Sequence, residues 1–369
     1  MRFTCEKSML MAGLNITGRT VAQKSALSAI EGILCKAGVG LSLTGYNMET
    51  AITYVIDAEV TDAGQCVLPA RLFGDIVRRL PEGPVTVVVD ENYKVSVRAG
   101  YAAFTISAES AEDYPELPDV SDGRSIQIPQ SALKDLISGT IFAVSENQGR
   151  PIHTGVKFEV ADDTVSAIAV DGFRLARRSY HMDASTGRNL SFVVPAQGLK
   201  EVEKILTDSD EDAAFLLGSK HILFQIGNAT LVCRLLEGEF LDWKKVVPTD
   251  CPIKLVANVA DLASSIDRVG LVVSEKYKSP VRCLFSNQVL QLRTNTTIGV
   301  AEDRCTLAGD GKELEIGFNV RYLADALRAI PCEEVTLELT NGLSPIVMTP
   351  VEEKYDFSYM VLPVRIKNG

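Results

Sequence analysis

Apolar and polar positions in this chain alternate with two periods, and the switch between them recurs. The stretch CVLPARLFGDIVRRLP, Cys66 to Pro81, returns as VVPAQGLKEVEKIL from Val193 and as IGFNVRYLADALRAIP from Ile316. Each copy reads as strand, turn and helix. In the first helix Leu72, Ile76 and Leu80, with Phe73 and Val77, form an apolar stripe, while Arg71, Asp75 and Arg78 stand at i, i+4 and i+7 on another face. The second copy sets Leu199, Val202 and Leu206 against Gln197, Glu201 and Lys204, and the third sets Leu323, Leu327 and Ile330 against Arg321, Asp325 and Arg328. Pro69, Pro195 and Asn319 are spaced by 126 and 124 positions, which divides 369 residues into three nearly equal parts. A period that long is a domain rather than a solenoid repeat. Intrahelical ion pairs on a solvated face account for any one polar stripe; three matched stripes point to a shared task.

Each third also opens on a strand followed by a helical pattern: MRFTCEK into Ser8 to Thr17, SIQIPQSALKDLISGT, and IKLVANVADLASSIDRVG, with Ser8, Ser131 and Asn258 as the expected N-caps. Period-two alternation follows in VTVVVDENYKVSVRAGYAAFTISAE, AAFLLGSKHILFQIGNATLVCRLLEG and VTLELTNGLSPIVMTP, with turns at Asp90-Glu91-Asn92, Gly218-Ser219-Lys220 and Asn341-Gly342. The expected fold is therefore α+β: three similar domains, each with two helices packed on antiparallel sheet. Clusters of Pro, Asp, Ser and Gly at 114–125 and 246–252 place the domains at 1–122, 123–249 and 250–369.

Composition narrows the function. With 46% hydrophobic and 23% charged residues, an ordinary folded soluble protein is expected. No apolar run suits a signal peptide or a membrane helix, so the cytoplasm is the expected location. The eight cysteines show no metal-ligand spacing and read as reduced structural thiols. A net charge of -11 argues against a simple nucleic-acid binder, yet Arg71, Arg78, Arg79, Lys204, Arg321 and Arg328 gather positive charge on the three repeated helices. An acidic exterior with a less acidic inner surface facing phosphate reconciles the two.

Catalytic signatures are missing. His153, His181 and His221 fall in no metal or triad spacing, and neither a nucleophile elbow nor a P-loop occurs. The glycines of 309–317 do not form a dinucleotide fingerprint, and Trp243 reads as a domain-edge packing residue. Two segments stand apart: SAIAVDGFRLARRS, 166–179, where Gly172 permits a tight turn, and the apolar tail YMVLPVRIKNG, which suggests a partner site.

GTIFAVSENQGRPIHTGVKFEV followed by AVDGFRLA, LLEGEFLDWKKVVP, GFNVRYLADAL and a terminal VLPVR, with VLPAR and IVRRLPEG in the first third, resembles the bacterial DNA polymerase III β subunit, the sliding clamp, over essentially the whole chain. The resemblance implies a head-to-tail homodimeric ring around duplex DNA, a processivity factor that is not an enzyme and needs no cofactor. Its implied partners are the polymerase α subunit, the clamp loader and other proteins with clamp-binding motifs. It assigns sequence-independent phosphate contact to Lys24, Arg71, Arg150 and Lys204; the helix-face argument adds Arg78, Lys200 and Arg321. Ala196 and Gln197 stand where the family often carries basic residues, so contact through that helix is expected to be weaker.

The resemblance also implies a peptide-binding pocket formed by His153, Val170, Gly172, Phe173, Arg174, Leu175, Leu241, Lys245, Val246 and Ser344, closed by Met360, Val361, Leu362, Pro363, Val364 and Arg365. Apolar walls and a polar rim of Arg174 and Arg365 are expected. His153, Val170, Phe173, Leu241 and Leu362 depart from the usual residues, which alters the pocket's shape. The dimer contact is expected to set Phe104 and Ile106 against Leu271 and Val272 of a second subunit. The rival readings are a scaffold that uses the tail pocket without encircling DNA, and a hydrolase built on Asp171 and Arg174, for which no base or nucleophile is in sight.

Overall fold

The computed structural model describes residues 1–120, 123–273, 279–286, 288–309 and 312–366. Ser121 and Asp122, in the first expected boundary, Asp310 and Gly311, and the tail from Lys367 lie outside them. The described helices are α1 (Lys7–Thr17), α2 (Ala70–Arg79), α3 (Gln130–Ser138), α4 (Ala196–Ile205), α5 (Val259–Gly270) and α6 (Val320–Arg328). Each third thus supplies two helices among antiparallel strands, as the alternation predicts.

The chain divides into two compact units: Met1–Leu133 with Gln197–Leu235, and Lys134–Ala196 with Leu236–Gly369. The middle third contributes to both. In the first unit its strands Arg124–Pro129, Asp212–Leu217, His221–Ile226 and Ala229–Arg234 continue the sheet of Thr50–Ile56, Leu41–Tyr46, Gly32–Ala37 and Gly64–Pro69, joined where Leu231 faces Ile52. A five-stranded sheet, ordered Glu59–Asp62, Arg2–Glu6, Pro84–Val89, Lys94–Ala99, Ala102–Ser107, completes that unit. Val85, Val87, Val95 and Val97 point inward from it to meet Phe3, Leu10, Leu14 and Phe73. In the second unit the middle third's remaining strands join those of the last third in one twelve-stranded sheet.

The repeat is written in hydrogen bonds as well as in apolar positions. The first residue of the first helix of each third donates its N–H to a loop carbonyl: Lys7 to Gly83 at 3.0 Å, Gln130 to Glu211 at 2.9 Å and Val259 to Glu333 at 2.8 Å. Two of the three expected caps nevertheless fail: α1 and α3 begin at Lys7 and Gln130, so Ser8 and Ser131 are already inside their helices, past the capping position. Asn258 does cap α5, accepting from the Asp261 N–H at 3.0 Å.

Two stripe assignments also change. α2 buries Phe73, Ile76, Val77 and Leu80 at i, i+3, i+4 and i+7, and this arc leaves Leu72 at 50% exposure. On α4, Glu201 of the expected polar face is buried, with Lys204 Nζ donating to its Oε1 at 2.8 Å. All eight cysteines are free and buried, and burial pushes the Cys35, Cys66, Cys233 and Cys283 thiols well up, so they are inert packing groups.

Candidate peptide pocket and nucleic-acid interface

The segment at 166–179 forms a hairpin of Thr164–Val170 and Arg174–His181, with Val170 opposite Leu175. Its turn is set by Asp171, whose Oδ1 accepts the N–H groups of Phe173 at 2.8 Å and Arg174 at 3.0 Å, and by Gly172 at φ 90, where a Cβ would strain the backbone. The apolar part of the tail, through Val364, is tied into the fold. Asp356–Val361 is an interior strand lying against Arg174–His181, with Leu175 facing Met360, and it ends before Pro363 as that ring requires. Beyond it, the Leu362 N–H donates to the Phe173 carbonyl at 2.8 Å and the Val364 N–H to the Gly317 carbonyl at 2.7 Å, so tail and turn are held together by backbone bonds.

This geometry brings Val170, Leu175, Met360 and Val347 into one buried apolar cluster, on which Phe240, Trp243, Val247 and Leu362 pack half-covered. Phe173, Leu241, Val246 and Val364 stand exposed in the same unit, Phe173 at 60%. Val361 is fully buried. His153, in the helical turn Pro151–Thr154, meets the ring of Phe240 edge-on at 5.3 Å, and its Nε2 is buried without a hydrogen-bond partner. Burial, and next the Arg150 charge, hold its pKa below the usual 6.5, so the ring is neutral. Lys245 pairs with Asp242 at 3.0 Å, Arg365 is exposed, and Ser344 closes the Asn341 turn through a 3.2 Å backbone bond.

Arg174 is not the free rim cation that the sequence suggests. It is 9% exposed; its Nε donates to Asp171 Oδ2 at 2.9 Å and its Nη1 to Asp325 Oδ2 at 2.7 Å. The same contacts occupy Asp171, which leaves a hydrolase no unengaged carboxylate there. Sequence reasoning passed over Phe240, Trp243, Val247 and Val347. The signal for the first two was an aromatic pair within the polar stretch EGEFLDWKK. Trp243, read as edge packing, lies on the cluster with the Arg177 guanidinium 5.2 Å from its ring.

The repeated helices carry their basic residues outward. Arg71 and Arg78 on α2, Lys200 and Lys204 on α4, and Arg321 and Arg328 on α6 are exposed, as are Lys24 and Arg150 on loops. In all three helices the acidic residue pairs with the base three positions on: Asp75 with Arg78 at 2.7 Å, Glu201 with Lys204 at 2.8 Å, Asp325 with Arg328 at 3.5 Å. In the first unit a groove of about 890 Å³ runs between α1 and α2, with Arg19, Arg71 and Arg78 on its walls.

Among the described strands, Ala102–Ser107 and Val300–Ala308 each present an open edge beside exposed apolar side chains. Ala102–Ser107 ends its sheet with a neighbour on one side only, presenting Phe104, with Ile106 half-buried. In the second unit Val300–Ala308 pairs with Val289–Asn295 along one side, whereas on the other only Leu307 and Ala308 pair among the described residues. Leu271, 84% exposed, and Val272 lie beside its approach, where Thr296 Oγ1 donates to the Val272 carbonyl at 2.7 Å. Exposed Ile298 and Val300 extend that apolar surface beyond the residues expected.

Among the described residues no cluster of His, Cys, Asp or Glu suits a metal ion, and no helix is long and apolar enough to cross a membrane. Models of the DNA polymerase III beta subunit match three times, the N-terminal domain at 1–118, the central domain at 127–242 and the C-terminal domain at 244–365. The beta sliding clamp of Staphylococcus epidermidis is 31% identical over 99% of both chains. The DNA polymerase sliding clamp of Bacillus subtilis superposes with a TM-score of 0.95 at 30% identity over the whole of both chains. The sliding clamp of Pseudomonas aeruginosa bound to griselimycin superposes at 0.93 and 30% identity, over 99% of this chain and 100% of that one. The arrangement of pocket, basic helices and open edges therefore sits in a chain that belongs to the DNA polymerase III β subunit family, the sliding clamps.

Proposed function

We propose that this sliding clamp works without catalysis, as a cytoplasmic head-to-tail dimer of three-domain chains bounded at 1–122, 123–249 and 250–369. It encircles duplex DNA and tethers the polymerase α subunit, the clamp loader and other motif-bearing proteins. The observation that carries the tethering role is the apolar cluster of Val170, Leu175 and Met360, roofed only in part by Phe240, Trp243 and Leu362. A site of that kind takes an extended peptide with aliphatic and aromatic anchors. Closure uses the open edge at Ala102–Ser107 against that of Val300–Ala308 of a second copy, a main-chain pairing with Phe104, Ile106, Leu271 and Val272 as its apolar seal.

DNA contact falls to Lys24, Arg71, Arg78, Arg150, Lys200, Lys204 and Arg321. Ion pairing within each helix moderates their pull on phosphate, which suits a ring that holds DNA by topology and has to slide. Retention on nicked circular DNA after loading is expected to survive salt that abolishes direct binding to short linear duplex, because salt screens charge and leaves topology intact. Equal salt sensitivity on the two substrates would refute encirclement.

A further inference from the structure

The turn that forms one wall of the candidate pocket is tied to α6 by Arg174 and Phe173. Leu175 enters the apolar cluster, while Arg174 runs to the other side. There its guanidinium lies 4.5 Å from the centre of the Tyr322 ring and 5.5 Å from that of Phe142, and donates to Asp325 at 2.7 Å. Phe173, the exposed tip of the wall, stacks on the same Tyr322 ring at 6.1 Å. Asp325 has further claimants: Arg328 Nη1 stands 3.5 Å from its Oδ1 and Arg321 Nε 3.9 Å from its Oδ2. Those two arginines are 61% and 68% exposed, and Asp267 takes a second bond from Arg328 at 2.8 Å. One carboxylate is thus shared between a buried cation that shapes the pocket and two exposed cations on the helix face.

We propose that Asp325 is a positioning residue for the peptide pocket, and that its divided carboxylate links peptide affinity to phosphate on α6. This rests on the readings above, that the pocket takes peptides and that α6 faces DNA. Asp325 acts through Arg174, fixing the Asp171–Phe173 turn so that Phe173 and Leu175 are presented without the ordering cost that a loose turn would add to binding. Phosphate that engages Arg321 and Arg328 draws them from Asp325 and leaves its charge to Arg174, which firms the turn. The linkage is therefore positive and reciprocal: duplex tightens peptide, and peptide tightens duplex.

The test uses the full chain, a short fluorescein-labelled peptide with adjacent leucine and phenylalanine side chains, and a short linear duplex at low salt. Wild type is expected to bind the peptide about fivefold more tightly with saturating duplex, the low end for coupled sites. Asp325→Asn is expected to weaken the peptide roughly tenfold, in keeping with loss of a charge-assisted bond, and to abolish the gain from duplex. Asp325→Glu is expected to restore part of both, and thermal unfolding of each variant reports whether it folds. A merely structural Asp325 would lower affinity and melting temperature in the Asn variant yet leave the duplex gain intact, which overturns the linkage. Unchanged peptide affinity in Asp325→Asn overturns the positioning role. A wild type that binds no peptide refutes the pocket itself, and an Arg321→Gln variant with undiminished duplex binding refutes the DNA-facing role of α6, so the failures are distinguishable.

Discussion

At the pocket, the side chains that would touch a partner are held by backbone. Val170 and Leu175 face each other across a hairpin, Met360 follows from an interior strand, and Leu362 is pinned to Phe173 at 2.8 Å. On α2 and α6, the side chains that would touch phosphate stand free of the sheets, Arg78 and Arg328 each 61% exposed and each paired with an acid of its own helix. The first construction gives a preorganised apolar surface that discriminates by shape; the second gives exposed charges that carry no sequence information in contact with phosphate. A clamp needs both, because capture of a partner has to be selective and contact with the duplex has to be weak.

Ring closure stands on the pocket's side of that comparison, and here the largest effect is expected. Leu271→Ala with Val272→Ala removes two apolar side chains from the proposed seal, a loss of roughly 2 to 4 kcal/mol per interface. Sedimentation is expected to show monomers that still fold and still bind peptide. An unchanged dimer would move the seal elsewhere, with exposed Ile298 and Val300 the next residues to truncate. Within the pocket, Leu362→Ala is expected to weaken peptide by roughly 1 to 3 kcal/mol while direct duplex binding stays as it was. If duplex binding fell equally, the two regions would not be separable in function.

The charged side is expected to respond more gently. Arg71→Ala with Arg78→Ala should reduce the slope of duplex affinity against salt by about one for each phosphate that is no longer neutralised, with peptide affinity unchanged. Releasing Arg78 by Asp75→Asn should act the other way and strengthen duplex binding, if the 2.7 Å pair is what restrains it. No change in either variant would mean that α2 does not meet the duplex.

How far each region was legible follows from how it is built. Period-three-and-four spacing located α2, α4 and α6 and their charged faces, because helix periodicity is a local property. It misplaced Leu72 and Glu201 because an arc of burial is set by what packs against the helix. Ser8 and Ser131 failed as caps because their helices begin one residue earlier, at Lys7 and Gln130, whose N–H groups reach the carbonyls of Gly83 and Glu211, 76 and 81 positions away along the chain. The candidate pocket draws on residues from 153 to 365, so no periodicity in one stretch could propose it; only a family resemblance did. That resemblance put Arg174 on the rim, whereas folding brings to it the Asp325 carboxylate that takes up its charge, 151 positions further along the chain.

The smallest expected effect belongs to His153, where the two kinds of surface meet: an ionisable ring inside an apolar site. Burial first, and the Arg150 charge second, lower its pKa from 6.5, and its Nε2 has no partner to favour a proton. In the folded chain the ring therefore stays neutral at pH values where the unfolded chain has begun to protonate. Its contribution to stability is complete above 6.5 and is lost as pH falls below that value toward the lowered folded pKa. A bound peptide that covers the Phe240 side of the pocket would desolvate the ring further, so binding opposes protonation and affinity should fall in the same window. Calorimetric titration of the peptide at about pH 7.5 and about pH 5.5, either side of the unperturbed histidine value, is expected to show weaker binding at the lower pH in wild type and little change in His153→Leu. The same pH dependence in both proteins would place His153 outside the site, with its ring serving only to pack Phe240.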